Sequence, residues 1–211
     1  MKNLPELIKK ISNEDIHYQF VEFTLLDAQK YFDKISDLTG DKGSAILLIE
    51  ELSEYLQALG RLLESDNEEN FIHVEEEFVD VMCSLYIFYQ NHWDEEYSVP
   101  YIEFAGWDHS IFFLESNGIR NEKHIKCHFY NALDQISKSI NVLSKYLRGH
   151  KDIIEPECDY ISKAIRNIIV CLVNGMYTLK FVRADLRKIL YLKTSRTKTR
   201  LETGVYNEET I

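Results

Sequence analysis

Ser44-Ala-Ile-Leu-Leu-Ile-Glu-Glu-Leu-Ser-Glu-Tyr-Leu-Gln-Ala-Leu-Gly-Arg-Leu-Leu-Glu64 places apolar residues at Ala45, Leu48, Ile49, Leu52, Tyr55, Leu56, Leu59, Leu62 and Leu63. That stripe has a period of about 3.6 residues and marks one face of a helix. After a polar turn at residues 65–70, residues 71–91 repeat the pattern with Phe71, Val74, Phe78, Val81, Met82, Leu85 and Tyr89. Two amphipathic helices joined by a short polar turn bury their stripes against each other, so the stretch predicts an antiparallel helical hairpin. The fold class follows as all-α.

The rest of the chain agrees. It has 211 residues, 45% of them hydrophobic, with only eight Gly and three Pro. So few turn residues do not suit an all-β protein, and the apolar fraction is enough for a real core. Helices are predicted over residues 4–12, 24–38 (opened by the capping box Thr24-Leu-Leu-Asp27), 122–148, 155–179 and 183–201. Gly40 and Gly43 punctuate the chain ahead of the quoted helix. Residues 16–20 alternate briefly and read as extended. Residues 92–121 hold both tryptophans, Pro100, Gly106 and Gly118, and read as an ordered connector packed on the helices. The tail after Gly204 reads as frayed or lid-like. One domain over residues 1–211 is expected: an acidic hairpin (44–91), the connector and a second helical half (122–201).

Composition narrows the function classes. The longest apolar runs, 45–49 and 168–173, fall well short of the roughly 18–20 residues that span a bilayer. MKNLPELIKKIS shows no apolar secretory segment, and four cysteines without CxxC spacing suit reduced thiols, so a cytoplasmic protein is expected. Residues 1–100 carry 22 acids against 7 bases, and residues 101–211 carry 13 against 17, within a net charge of −11. An acidic front half argues against coating nucleic acid. It fits a site that collects divalent cations, or simply solvated helix faces.

The strongest chemical signal is Glu50-Glu51-Leu-Ser-Glu54 followed by Glu77-Phe-Val-Asp80. At about 100° per residue, Glu51 and Glu54 lie near −100° and −160° from Leu52 on the stripe. Glu77 and Asp80 bear the same angular relation to Phe78. Equal offsets in a facing hairpin bring both pairs to one side, with Glu54 opposite Glu77 and Glu51 opposite Asp80. Four converging carboxylates repel unless a cation neutralises them, and hard oxygen ligands suit Mg²⁺ or Mn²⁺. No His joins this cluster at ExxH spacing, which counts against a di-iron site. The alternative is a pair of solvated faces; Ile46 and Leu47, on the acidic side of their helix, predict that this face is covered.

Glu51-x-x-Glu54 with Glu77-x-x-Asp80 resembles the ExxE…ExxD motif of the all-α nucleoside triphosphate pyrophosphohydrolases, which include the MazG-like enzymes and the dimeric dUTPases. The resemblance covers residues 44–91 well and the remainder by architecture. Lys193, Arg200 and Gly204 in the 191–204 segment resemble a C-terminal segment of dimeric dUTPases. Thr194, Thr197 and Leu201 depart from that segment's Asn, Asn and Gln, and Val205 splits its Gly-Tyr pair. A basic helix complementing its own dipole is the other reading of this patch. The resemblance implies hydrolysis between the α- and β-phosphates, releasing a nucleoside monophosphate and pyrophosphate. It implies a Mg²⁺ (or Mn²⁺) site at Glu51, Glu54, Glu77 and Asp80, with Glu51 taking the proton of the attacking water. Lys193, Arg196 and Arg200, spaced three and four apart on one helical face, are expected to clamp the outer phosphates, with Glu50 on the substrate side. A homodimer is the corresponding assembly. The rivals are a dUTP-specific pyrophosphatase and a catalytically silent helical binding module.

Other constellations carry less. His124, Cys127 and His128 lack a fourth ligand for zinc and read as surface or core. Asp108-His109 and His92-Trp-Asp94 do not form the His-Asp pattern of metal phosphohydrolases. There is no Gly-rich phosphate loop and no GxSxG. The connector aromatics Trp93, Tyr97, Tyr101, Phe104 and Trp107 either pack or stack a nucleobase. Residues 49–59 align with residues 133–143, preserving every apolar position but one, with Glu54 meeting Lys138; on a rougher alignment Asp80 meets Lys163. This suggests a pseudo-repeat in which the second hairpin has exchanged acids for packing and positive charge, or a chance likeness of two amphipathic helices.

Overall fold

The structure, a computed structural model, describes residues 25–92, 120–149 and 160–204. Every regular element among them is a helix: α1 Leu25–Glu64, α2 Glu68–Asn91, α3 Glu122–Leu147, α4 Tyr160–Leu179 and α5 Arg183–Glu202. The all-α expectation is met. The predicted helix at 4–12, the extended stretch 16–20, the capping box from Thr24, the start of the 155–179 helix, the connector with its aromatics and Asp108-His109, and the tail beyond Gly204 lie outside the described residues.

α1 is two helices meeting at a sharp bend, where Gly40 adopts φ 60° and ψ −175°. That conformation is open essentially only to glycine. The Thr39 hydroxyl donates back to the Ile35 carbonyl at 2.9 Å, and the Ser44 hydroxyl donates to the Asp41 carbonyl at 2.8 Å. Asn91, at the end of α2, donates to the Gly40 carbonyl at 3.3 Å and ties the bend to the hairpin. The expected punctuation is therefore a kink at Gly40 without a loop, and Gly43 stays helical.

α2 starts at Glu68, three residues before its first apolar position. The cap explains the difference: the Asn67 side chain accepts from the Asn70 N–H at 2.8 Å, while Glu68 and Glu69 sit in the first turn, where negative charge complements the helix dipole. Asn70 in turn donates to the Arg61 and Ser65 carbonyls, satisfying groups left open at the end of α1. Polar residues that read as a turn are thus half cap and half helix.

α1 packs on α2 and α3 on α4; α1 also lies against α3, while α5 folds back onto α2 and α1. Leu48, Leu52, Leu59 and Leu62 are fully buried, each contributing about 1.5–3 kcal/mol relative to an exposed side chain. Phe181, between α4 and α5, packs its ring edge-on to Phe78 at 5.0 Å and beside Phe71 at 5.5 Å, anchoring the start of α5 on α2. Among the hydrogen bonds that join the halves are Tyr55 with His128 at 2.9 Å, and His92 Nε2 with the Tyr146 hydroxyl at 2.9 Å. His92 Nδ1 faces the Phe88 carbonyl at 2.8 Å, and a carbonyl only accepts, so Nδ1 holds the proton and Nε2 accepts from Tyr146.

At the aligned positions of the two halves, Leu52 and Ile136, Tyr55 and Ser139, and Leu59 and Leu143 are all buried; Ile49 is half-buried while Leu133 is exposed. No helix of the described residues is long and apolar enough to cross a membrane.

Candidate functional site

The acidic side of the α1–α2 hairpin forms one wall of a cleft of about 250 Å³. Glu51, Glu77 and Asp80 each bring a carboxylate oxygen to within 4.8 Å of the others. The angular argument holds for these three. Glu54 faces the same cleft but is exposed, at its rim, so three acids converge and the fourth stands outside them. Asp80 has the same offset on its own helix, yet it is covered because α5 packs over that side of α2. The cover expected from Ile46 and Leu47 is divided: Leu47 lines the cleft, while Ile46 is 48% exposed.

α5 supplies the opposite charge. The Lys193 ammonium donates to Asp80 Oδ2, forming a mostly buried ion pair. Arg196 and Arg200, three and seven residues further on, line the same cleft. Of the face predicted from their spacing, Lys193 meets a carboxylate directly and the two arginines share its cleft. Glu50 is exposed and does not line the cleft.

Burial and mutual repulsion hold the acids in an unusual state. Burial, then Asp80, Glu77 and Glu54, push the Glu51 carboxyl from an ordinary 4.5 up to about 8, against the pull of Lys193. Glu77 rises to about 7, from burial first and then Asp80. Asp80 is raised by burial even with Lys193 upon it. Such crowding raises pKa values wherever one cation serves several carboxylates.

Three participants escaped the sequence reading. Glu76, one turn before Asp80, is half-buried and raised by burial, with Lys193 and Arg196 drawing it down. His73, one turn before Glu77, sets Nδ1 3.5 Å from Glu77 Oε1 and 3.8 Å from Glu76 Oε2; burial, Arg61 and Lys193 lower its pKa. Both were accessible from the four-residue helical step, which places i and i+4 on one face. Cys83, one turn beyond Asp80, lines the cleft with its thiol pushed up by burial. The third acid of the run, Glu75, turns instead to the start of α5, where the Val182 N–H donates to it and burial beside Asp185 raises it to about 8.

The donor set fits a hard divalent cation. Glu76 Oε1 and Glu77 Oε2 are buried carboxylate oxygens without a hydrogen-bond partner, a costly state that a cation relieves. Glu51, Glu77 and Asp80 are the one cluster of candidate metal ligands among the described residues. The His124–Cys127–His128 set does not assemble: Cys127 is exposed and His128 is buried against Tyr55. Phe32, Ile35, Leu47 and Ile87 give the cleft an apolar stretch beside the acids. The cleft thus offers half-buried carboxylates, three cationic side chains and an apolar surface, donors that suit a cation and an anionic ligand together. Comparisons with protein-family models, curated proteins and solved structures found no match.

Proposed function

We propose that this protein is a Mg²⁺- or Mn²⁺-dependent nucleoside triphosphate pyrophosphohydrolase that cleaves between the α- and β-phosphates. The observation that carries the reading is a single cleft that sets Glu51, Glu54 and Asp80 against Lys193, Arg196 and Arg200, with Glu77 clustered behind Glu51 and Asp80. Glu51, Glu77 and Asp80 would hold the metal, with Glu54 at the rim. When bound, the metal would supply charge neutralisation at the phosphate oxygens as the bond breaks. Arg196 and Arg200 bind and orient the outer phosphates, Arg through its planar fork of donors. The apolar stretch of Phe32, Ile35, Leu47 and Ile87 receives the nucleoside and excludes water from it. Glu51, at the edge of the cluster, takes the proton from the attacking water. Free thiols at Cys83, Cys127 and Cys171 accord with the cytoplasm as the compartment, and the family likeness with a homodimer.

The test is release of pyrophosphate and nucleoside monophosphate from a panel of ribo- and deoxynucleoside triphosphates, with and without Mg²⁺. Metal-dependent release that falls by about a thousandfold or more in folded Asp80→Asn is expected, the scale of losing a principal source of transition-state charge stabilisation. Release from dUTP alone would narrow the assignment to a dUTP pyrophosphatase. No metal-dependent release from any nucleotide by folded protein would overturn it in favour of a binding module.

A further inference from the structure

On α2, Glu76 and Asp80 lie one turn apart on the same face, and Lys193 and Arg196 answer them from α5. Lys193 is paired directly with Asp80, its side chain 14% exposed, and it lines the same cleft as Glu51. Its ammonium thus holds the place that the proposed function gives to a divalent ion. A cation of charge two among Glu51, Glu77 and Asp80 would lie within a few ångströms of that ammonium, and the two repel strongly in a half-buried setting. The Lys193 stem has four rotatable carbons, so the ammonium can leave Asp80 without moving α5.

We infer that Lys193 is the internal counter-ion of the acid cluster, exchanged for the divalent cation at Asp80 and released by that exchange into the cleft, where it joins Arg196 and Arg200 in binding the outer phosphates. The inference rests on the functional reading above. It makes the phosphate clamp complete only after metal has entered, so that free anion binds poorly to the metal-free protein. Only the fraction of molecules with Asp80 unlatched is competent for metal, which weakens the apparent metal affinity by that fraction.

The experiment measures Mn²⁺ affinity by titration calorimetry and electron paramagnetic resonance, on nucleotide-free wild type, Lys193→Gln, Lys193→Arg and Arg200→Gln. Arg200→Gln removes an equal charge from the same cleft without touching the pair. Lys193→Gln is expected to bind Mn²⁺ about tenfold more tightly, equivalent to about 1.4 kcal/mol, and Arg200→Gln less than about threefold more tightly. Lys193→Arg, which keeps the charge and adds a second donor, is expected to bind more weakly than wild type. Lys193→Gln should also melt lower than wild type without metal, with saturating Mn²⁺ closing the gap. Binding by Lys193→Gln alone would overturn the exchange, since the ion would then be unable to displace Lys193 in the wild type. Equal shifts in Lys193→Gln and Arg200→Gln, or none in either, would overturn the exchange while leaving the metal site standing. Should Lys193→Gln fail to fold without metal, unchanged or tighter binding by Lys193→Arg would overturn it. No Mn²⁺ binding by any folded form would remove both the exchange and the functional reading.

Discussion

The Tyr55 hydroxyl and Nε2 of His128 lie 2.9 Å apart, a buried hydrogen bond between α1 of the acidic hairpin and α3 of the second half. Burial holds the imidazole neutral by lowering its pKa to about 4. The contact exists because α4 approaches closely at Gly175, where an added Cβ would sit 2.7 Å from His128 Cε1 and Nε2 and 3.0 Å from the Tyr55 oxygen.

Gly175→Ala is therefore expected to destabilise the protein by about 1–3 kcal/mol, since neither ring has room to yield. Helix propensity pulls the other way by up to about 1 kcal/mol and does not offset the clash. Gly60→Ala provides the contrast: its Cβ would meet only Phe129, at 3.8 Å, in an ordinary helical position. That change should stabilise by about 0.5–1 kcal/mol. Denaturant unfolding of the two variants checks the opposite signs.

Gly40 carries strain of a different kind. Nothing lies within 4 Å of a Cβ there, so space is available, but φ of +60° with an extended ψ excludes an L side chain. Gly40→Ala should cost about 1–3 kcal/mol through the backbone alone. Because the bend carries Phe32 and Ile35 to the cleft, the same variant should weaken nucleotide binding. Unfolding curves and titration with a non-hydrolysable triphosphate measure the two effects, and unchanged stability would contradict the kink.

Stability should depend on pH in the direction opposite to that of salt-bridged carboxylates. Glu51, Glu75 and Glu77 titrate at about 8, about 8 and about 7 in the fold, against an ordinary 4.5. Between those limits the folded chain binds more protons than the unfolded one. The contribution is present in full below pH ~4.5 and is lost as pH rises through the folded values. Melting of the metal-free protein should therefore fall from pH 5 to 8.5. Mg²⁺ at pH 8 should restore the part due to Glu51 and Glu77 by binding the folded state. Glu75 stands outside the cluster, so Glu75→Gln should raise the melting temperature at pH 8 with little change at pH 5. A flat pH profile without metal would contradict the crowded cluster.

Arg200 is exposed and lines the cleft. Arg200→Ala should raise KM for the triphosphate about tenfold, the scale of a charge-assisted hydrogen bond, with a smaller change in kcat. Steady-state kinetics on the nucleotide released fastest by wild type make the comparison.

The helices were legible because burial of an amphipathic face imposes its period on the chain: Leu48, Leu52, Tyr55 and Leu59 read as one stripe, and all are fully buried. Caps were less legible. Asn67 starts α2 three residues ahead of its apolar pattern, because capping is a local hydrogen bond that leaves no periodic trace. Glu51, Glu77 and Asp80 could be brought together on paper, since helical geometry and one short turn set their angles and levels.

The sequence by itself thus determined the helical class, the hairpin and the side on which its acids gather, all consequences of periodicity and short connections. Only the tertiary structure decided which acids are covered and what faces them. Asp80 is paired and half-buried while Glu54, at the same angle on its own helix, is exposed, because α5 returns over α2 and leaves the rim of α1 open. Lys193 reaches Asp80 across 113 residues, and no local spacing encodes such a contact. Packing of Phe181 against Phe71 and Phe78 places it there.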